Sequence, residues 1–365
     1  MRKSGLTGDE AYVLAKHGKA TEDLGPLKKE ISLIKEDTAV LQKRQNVLIG
    51  SEIGNPVRCD DAFAAPLCGL NVYGKSTQDG TPTPDVPVPI VSAWDGGRGV
   101  VKVTGRNILD MRNSKKVVTG SGVTYTRNAD YSFKRTGTAT EKAGNLWLAG
   151  GFNVAPLPTM SNVFCTLKMG VKYSITGCVL LAKTKAGIKS AKGIAFTPTE
   201  DMHITGVRNE GFEVNKTYND TVYPAVYVGA KALPYSTYRE QLLTLSTPNG
   251  LPGIPVTSGG NYTDQSGQQW VCDEIDLERG VRVQRVDKAA FDSTKTLAEQ
   301  NAILAAPIET PLAPAEIASY KALTTYAPDT VVQASDDAGV KLDYQRDVNL
   351  VIKNLEDAIA SMTTT

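Results

Sequence analysis

Short runs of β-forming residues, separated by turn residues, are the feature that most limits what this chain can fold into. They fill residues 105 to about 245, where clusters such as Gly120-Ser121-Gly122 and Arg127-Asn128-Ala129-Asp130 stand between them. Many short strands with regular turns are typical of an antiparallel sandwich or jelly roll. We therefore predict a mainly β chain with a central antiparallel β-sandwich. The predicted strands include Val117–Val118, Val123–Thr126, Phe133–Thr138, Leu146–Leu148, Val171–Ile175, Cys178–Leu181, Ile194–Phe196 and Ala225–Val228.

The overall composition fits a β-rich globular body and excludes several kinds of partner. The chain has 365 residues, of which 41% are hydrophobic and 22% charged, so it can bury a core. The formal net charge of +1 gives no electrostatic footprint for nucleic acid or for an anionic membrane. No apolar run approaches the roughly 18 to 20 residues that span a bilayer. We expect no nucleic-acid partner and no membrane insertion.

The N-terminal region, residues 1–54, has a helical pattern. After Gly25-Pro26, apolar residues recur every three or four positions, which is typical of a coiled-coil seam. We predict oligomerisation and attachment through this segment, with dimer and trimer both open from the pattern alone. The alternative is a single amphipathic helix that lies on its own globular core. The predicted seam residues are Leu24, Leu27, Ile31, Ile34, Leu41 and Leu48.

Two further regions flank the sandwich. Residues 55–104 hold the run Thr81–Pro89, whose prolines exclude a helix or a central strand, so we predict a β/proline-rich connector. For residues 246–365 we predict a β segment followed by a small α+β part. Its predicted elements are strands Gln268–Asp273 and Val281–Val286, helices Thr294–Leu304 and Pro314–Thr325, a hairpin of Thr330–Ala334 with Val340–Tyr344, and a last helix Asp347–Met362.

Motifs for catalysis and cofactors are weak. Residues Gly69 to Ser76 match the phosphate-loop pattern, but the residues that follow, Thr77 to Pro84, cannot start the helix that the loop needs. With only two histidines and no G-x-S-x-G elbow, we expect no catalytic residues, no cofactor and no enzyme activity. Five irregularly spaced cysteines indicate reduced thiols.

An acidic cluster raises the question of a metal site. Asp273, Glu274, Asp276 and Glu278 could offer the oxygen ligands that calcium prefers. A solvated segment between a strand and a turn explains them as well, and we expect no metal.

Aromatic residues in the β region are the candidates for ligand binding. Sugar-binding sandwiches stack aromatic rings on the apolar face of a pyranose, with Asn and Asp nearby for its hydroxyls. On this pattern the candidate glycan-binding residues are Tyr125 with Asn128 and Asp130, and Trp147 with Asn145. The alternative is that these rings belong to the core.

Several segments carry a family resemblance. Residues 74–90, with the run Thr81–Pro89, and Gln269-Trp270-Val271-Cys272-Asp273 resemble segments of tail and baseplate proteins (receptor-binding or fibre type) of phages and prophages of Gram-positive bacteria. Gly122-Val123-Thr124-Tyr125, followed by Gly137-Thr138-Ala139-Thr140, resembles the start of the carbohydrate-binding-like sandwich in those proteins.

The resemblance implies a virion structural protein, usually a homotrimer, made in a bacterial host cytoplasm. It would attach to other virion structural proteins by its N-terminal helices and display β domains that bind host-surface glycans. Three alternatives stay open: a fibre on the virion head, an architectural subunit without ligand, and a glycan-degrading tail enzyme. The last needs two carboxylates that face each other across a cleft.

Overall fold

The computed structural model describes residues 29, 31, 32, 47–60, 64–142, 146–151 and 163–346, and six positions near the C-terminus, 352, 353, 356, 357, 359 and 360. The chain is mainly β, with 48% strand and 8% helix, and its strands form several antiparallel sheets. The predicted fold class is confirmed at this level.

The chain divides into two compact units that interleave along the sequence. The first unit contains Met1–Asp95, Asn249–Thr330 and Gly339–Thr365, and the second contains Gly96–Pro248 and Val331–Ala338. The segment of the first unit that ends at Asp95 contains strands β1 (Val47–Gly54), β2 (Val57–Asp60), β3 (Leu70–Tyr73), β4 (Ser76–Gln78) and β5 (Ile90–Ser92).

The second unit holds the strands of the predicted sandwich. Its strands are β6 (Arg98–Gly105), β7 (Val117–Gly120), β8 (Val123–Arg127), β9 (Phe133–Thr138), β10 (Trp147–Gly150), β11 (Cys165–Leu167), β12 (Tyr173–Thr184), β13 (Gly187–Phe196), β14 (Met202–Arg208), β15 (Thr217–Val222), β16 (Ala225–Val228) and β17 (Glu240–Ser246).

The chain then returns to the first unit. The remaining elements are β18 (Gly253–Val256), β19 (Tyr262–Thr263), β20 (Gln269–Cys272), β21 (Glu274–Asp276), β22 (Val281–Val286), β23 (Ile303–Pro311), helix α1 (Pro314–Lys321), β24 (Asp329–Ala334) and β25 (Gly339–Arg346). Strand β24 begins in the first unit, and its residues from Val331 onward belong to the second.

Antiparallel pairing organises the first unit. Its main sheet has six strands in the order β1-β25-β3-β21-β22-β23. A three-stranded sheet, β18-β20-β19, and the hairpin β4-β5 also belong to this unit. The proline-rich run, predicted as a connector, forms the loop of the hairpin β4-β5, where the backbones of Thr83 and Val86 bond to each other at 3.0 and 3.1 Å.

Two sheets of the second unit share one hydrophobic core. One sheet has the order β15-β9-β8-β7, and the other has β10-β14-β12-β13, with β11 paired to β14 and β16 to β12. Side chains from both sheets meet in a single cluster, with Phe133 and Tyr125 from the first and Tyr173 and Leu180 from the second. Strands β17, β6 and β24 are neighbours, in that order, in a further sheet.

The hairpin β7-β8 shows how local sequence fixes the four-stranded sheet. Its two turn residues, Ser121 and Gly122, have φ values of 54° and 78°. Two left-handed residues match the twist of a tight hairpin, and glycine adopts this conformation without strain. A Cβ at Gly122 would lie 2.1 Å from the carbonyl oxygen of Thr138, so a side chain cannot fit there.

Three local predictions are wrong. The helix predicted to reach Gly54 is replaced over its last residues by β1, which runs antiparallel to β25 from Val47 opposite Arg346 to Gly54 opposite Val340. This segment contains Val47, Ile49 and Ile53, β-branched residues that favour a strand, and Gly50, which would destabilise a helix interior. Leu48, predicted on the helical seam, lies on this strand opposite Gln345.

The other two errors lie near the C-terminus. The helix predicted for residues 294–304 is only a 3₁₀ turn, Leu297–Glu299, because β23 begins at Ile303 and continues through Pro307. The hairpin predicted from residues 330–344 has its two strands in different sheets: β24 adjoins β6, whereas β25 pairs with β1 and β3. All six residues of β24 are buried, as expected of a strand covered on both faces. Residues 335–338 therefore join two strands that do not pair with each other.

Candidate functional site

Tyr125 belongs to the core and does not face a ligand, which corrects its prediction as a glycan-binding residue. It is 1% exposed. Its ring centroid lies 6.2 Å from that of Phe212 and 6.4 Å from that of Phe133. Burial raises the pKa of its hydroxyl. The alternation along β8 explains its position, because Val123 and Tyr125 share the inner face.

Asn128 and Asp130 shape the turn between β8 and β9. The Asp130 carboxylate accepts hydrogen bonds from the backbone N–H of Ser132, at 3.1 Å, and from its hydroxyl, at 2.6 Å. The Asn128 side-chain amide donates to the Ser132 Oγ at 2.9 Å. These short polar side chains therefore stabilise residues 128–132, which we call the 128–132 turn.

Trp147 lies on the other sheet. It begins β10, opposite Arg208 of β14, and is half-buried. A Cβ at Gly206 would lie 2.7 Å from its ring, so the ring packs across that glycine. Asn145 lies outside the described residues. The structure therefore does not bring the four described residues of this prediction into one site, because Tyr125 is buried in the core and Trp147 belongs to the other sheet.

Two other aromatic side chains meet at the 128–132 turn. The Tyr235 hydroxyl donates to the main-chain carbonyl oxygen of Asp130 at 2.6 Å. The Tyr223 ring lies against it, with centroids 4.9 Å apart and ring planes 51° apart. Tyr223 is 45% exposed, and we call these two residues the tyrosine pair.

Contacts with strand β12 hold the backbone around the tyrosine pair. The Thr176 hydroxyl donates to the Tyr223 carbonyl oxygen at 3.4 Å. Gly177, with φ of 64°, lets the chain approach this carbonyl, since a Cβ there would lie 2.6 Å from it. Burial raises the pKa of the Tyr235 hydroxyl, so it stays protonated and remains a donor.

The tyrosine pair has the chemistry of a small sugar-binding platform. An exposed ring offers a flat apolar face, and a tyrosine adds a polar tip that can bond a hydroxyl. Asn128 is exposed on the adjoining turn. The sequence predicts the turn but not which aromatic side chains contact it. A usable signal was that each tyrosine adjoins a proline, in Tyr223-Pro224 and Pro234-Tyr235, which restricts the backbone that carries the ring.

The predicted oligomerisation seam is described only in part. Leu24, Leu27, Ile34 and Leu41 lie outside the described residues, and Leu48 is on strand β1. Ile31 is helical and 7% exposed in the single chain. This one seam position is therefore already covered by its own chain, which fits the alternative of an amphipathic helix on a globular core.

The acidic cluster is bound internally. Asp273 accepts from the backbone N–H of Arg285 at 2.7 Å and of Val286 at 2.9 Å. Glu274 pairs with the Arg285 guanidinium at 3.0 Å, and Glu278 accepts from the Tyr320 hydroxyl. Within the described part of the chain, no group of three or more His, Cys, Asp or Glu is placed to hold a metal ion.

The lysine of the phosphate-loop pattern is used in packing. The Lys75 ammonium lies 3.1 Å from the Asp264 carboxylate and 4.4 Å from the ring centroid of Trp270. The Trp270 indole N–H donates to the same carboxylate at 3.0 Å. Burial opposes ionisation of Asp264, but hydrogen bonds from Ser266, Lys75 and Trp270 lower its pKa to about 2. The lysine thus has a permanent anionic partner in the protein.

Comparison of the chain with protein-family models, with curated proteins and with solved structures finds no match. Among the described residues, no helix is long and apolar enough to cross a bilayer.

Proposed function

We propose that this chain is a structural protein of a phage virion, a tail, baseplate or fibre component, that displays its second unit for binding host-surface glycans. The observation that carries the glycan part is the tyrosine pair, which presents an exposed ring on a rigid support. The virion part draws on the resemblance of the run Thr81–Pro89 and the Gln269–Asp273 block to tail and baseplate proteins.

The proposal includes a carbohydrate-binding-like jelly roll for the second unit and attachment through the N-terminal helices. Two antiparallel sheets that share one core support the first point. The 3-4 apolar pattern of residues 24–41 supports the second. In such an assembly, the helices would bind copies of themselves and other virion proteins, while the β units face outward.

A binding assay on wall polysaccharide from Gram-positive cells tests the glycan part. We expect the full-length chain to bind immobilised polysaccharide, and Tyr223→Ala to weaken this binding about tenfold or more, since an aromatic contact at the centre of a site contributes over 1.4 kcal/mol. Tyr223→Phe keeps the ring and should retain most of the affinity.

Ile188→Ala is the matched control, because Ile188 is 53% exposed on β13 of the same unit. Equal binding by Tyr223→Ala and the intact chain would contradict the assigned site. Absence of binding by the intact chain would favour a purely architectural subunit. Release of reducing ends from the polysaccharide would instead favour the glycan-degrading alternative.

A further inference from the structure

The outer face of the four-stranded sheet carries an unusual set of side chains. Strand alternation directs ten residues of β7, β8, β9 and β15 away from the core, and seven of them are threonine. We call this surface the threonine face. Its residues are Val117, Thr119, Thr124, Thr126, Lys134, Thr136, Thr138, Thr217, Asn219 and Thr221, and each is exposed or half-buried.

The pairing register aligns these residues in rows across the strands. In one row Thr119 lies opposite Thr124, Thr124 opposite Thr136, and Thr136 opposite Asn219. Neighbouring strands are about 4.8 Å apart, so a row across four strands spans about 14 Å. A second row runs parallel to the first, through Val117, Thr126, Lys134 and Thr221.

Four of the seven threonine hydroxyls on this face form two hydrogen-bonded pairs. The Oγ1 atoms of Thr119 and Thr124 lie 3.0 Å apart, and those of Thr138 and Thr217 lie 2.9 Å apart. In each pair one hydroxyl donates to the other, which leaves one hydrogen and several lone pairs directed to solvent. Each pair can therefore both donate to a ligand and accept from it.

Strand propensity alone does not account for the set. Threonine favours strands, and cross-strand threonine pairs stabilise sheets. Yet β13 and β23, whose residues are also mostly exposed, contain a single threonine, Thr310, and expose isoleucine, lysine, alanine and glutamate instead. The threonine enrichment is thus a property of this face.

The chemistry of the face selects the ligand. None of its ten described residues is acidic, and Lys134 carries its one charge. A ligand that matches it needs hydroxyls at regular spacing and little charge. The second row also ends near the tyrosine pair, because Thr221 lies two residues before Tyr223 and the 128–132 turn joins β8 to β9.

We propose that a neutral polysaccharide chain lies across the four strands on the threonine face and extends from the tyrosine pair. This inference rests on the proposed glycan-binding function and adds the ligand class: an extended, uncharged polymer instead of a terminal sugar. Affinity should then grow with chain length until the rows are filled.

The test measures affinity against fragment length. The probe is the neutral fraction of Gram-positive wall polysaccharide, cut by mild acid and fractionated from two to eight sugars. For the intact chain we expect affinity to rise about tenfold or more between the shortest and the longest fragments.

The double variant Thr124→Val and Thr136→Val removes hydroxyls but keeps β-branched side chains, so its sheet should form. We expect it to lose at least fivefold in affinity for long fragments and to bind the shortest ones unchanged.

Thr244→Val is the matched control, since Thr244 is exposed on β17 of the same unit, outside the threonine face. Tyr223→Ala should weaken binding at every length, which separates the two claims. If the double variant keeps the full dependence on length while Tyr223→Ala loses binding, the threonine face is refuted and the tyrosine site stands. If the intact chain binds no fragment, both are refuted. A double serine variant, which keeps the hydroxyls, should behave as the intact chain.

Discussion

Asp273 shows how one buried carboxyl group is tolerated in the first unit. It is 6% exposed, and two backbone N–H groups donate to its Oδ1. Burial penalises the charged form more than these two bonds favour it, so the pKa of Asp273 rises to about 6. The group therefore titrates in a range where most aspartates are already ionised.

This shift predicts a pH dependence of stability. The folded pKa lies above the unfolded value of about 3.9, so the protonated form is favoured by folding. Below about pH 4, Asp273 adds about 2 to 3 kcal/mol to the free energy of unfolding. This stabilisation is lost as the pH rises through 6. Asp273→Asn keeps an acceptor oxygen and removes the titration. We expect the stability of this variant relative to the intact chain to increase between pH 4 and pH 7 in urea unfolding.

Asp85→Asn is the control for that measurement, because Asp85 is exposed in the loop of the hairpin β4-β5. This variant shows the effect of the same substitution at an exposed position. A stability difference for Asp273→Asn that stays constant with pH would refute the shift.

At the scale of the element, the local sequence pattern predicts where strands lie better than it predicts which strands pair with each other. The predicted strands Phe133–Thr138, Ala225–Val228 and Val281–Val286 match β9, β16 and β22 residue for residue. The alternation Val123-Thr124-Tyr125-Thr126 also contains the information that Tyr125 faces the core. The pairing of β15 with β9, which completes the threonine face, joins residues 79 to 89 positions apart and has no local signal. The same limit hides the contact of Tyr235 with Asp130, because tertiary pairing alone creates it.

We propose that self-assembly depends on the N-terminal segment. We expect the full-length chain to be a homotrimer by light scattering, with Leu24, Leu27, Ile34 and Leu41 on the seam. The variant Leu24→Asp with Leu27→Asp should lower the mass to that of one chain, because charges cannot be buried in an apolar seam. Ser4→Asp with Gly8→Asp adds the same charge before the repeat and should leave the mass unchanged. A monomer for the intact chain would contradict the seam and favour the single amphipathic helix that the burial of Ile31 fits.

At the scale of the whole molecule, the chain order and the spatial order differ. The second unit is inserted between Asp95 and Asn249 of the first, and the short segment Val331–Ala338 returns to it. The tyrosine pair and the threonine face both belong to this inserted unit, so the proposed glycan site depends on residues of one unit alone. The unit boundary at Pro248 lies within a turn-rich sequence, Pro248-Asn249-Gly250. No local sequence feature marks Val331, where the chain enters the second unit again.

Amide hydrogen exchange of the full-length chain, with and without the neutral polysaccharide fragments, tests the glycan site most directly. We predict slower exchange in the 128–132 turn and in the loops that carry Tyr223 and Tyr235, and unchanged exchange in β22 of the first unit. Protection confined to the first unit, or no protection in any peptide at saturating polysaccharide, would contradict the account.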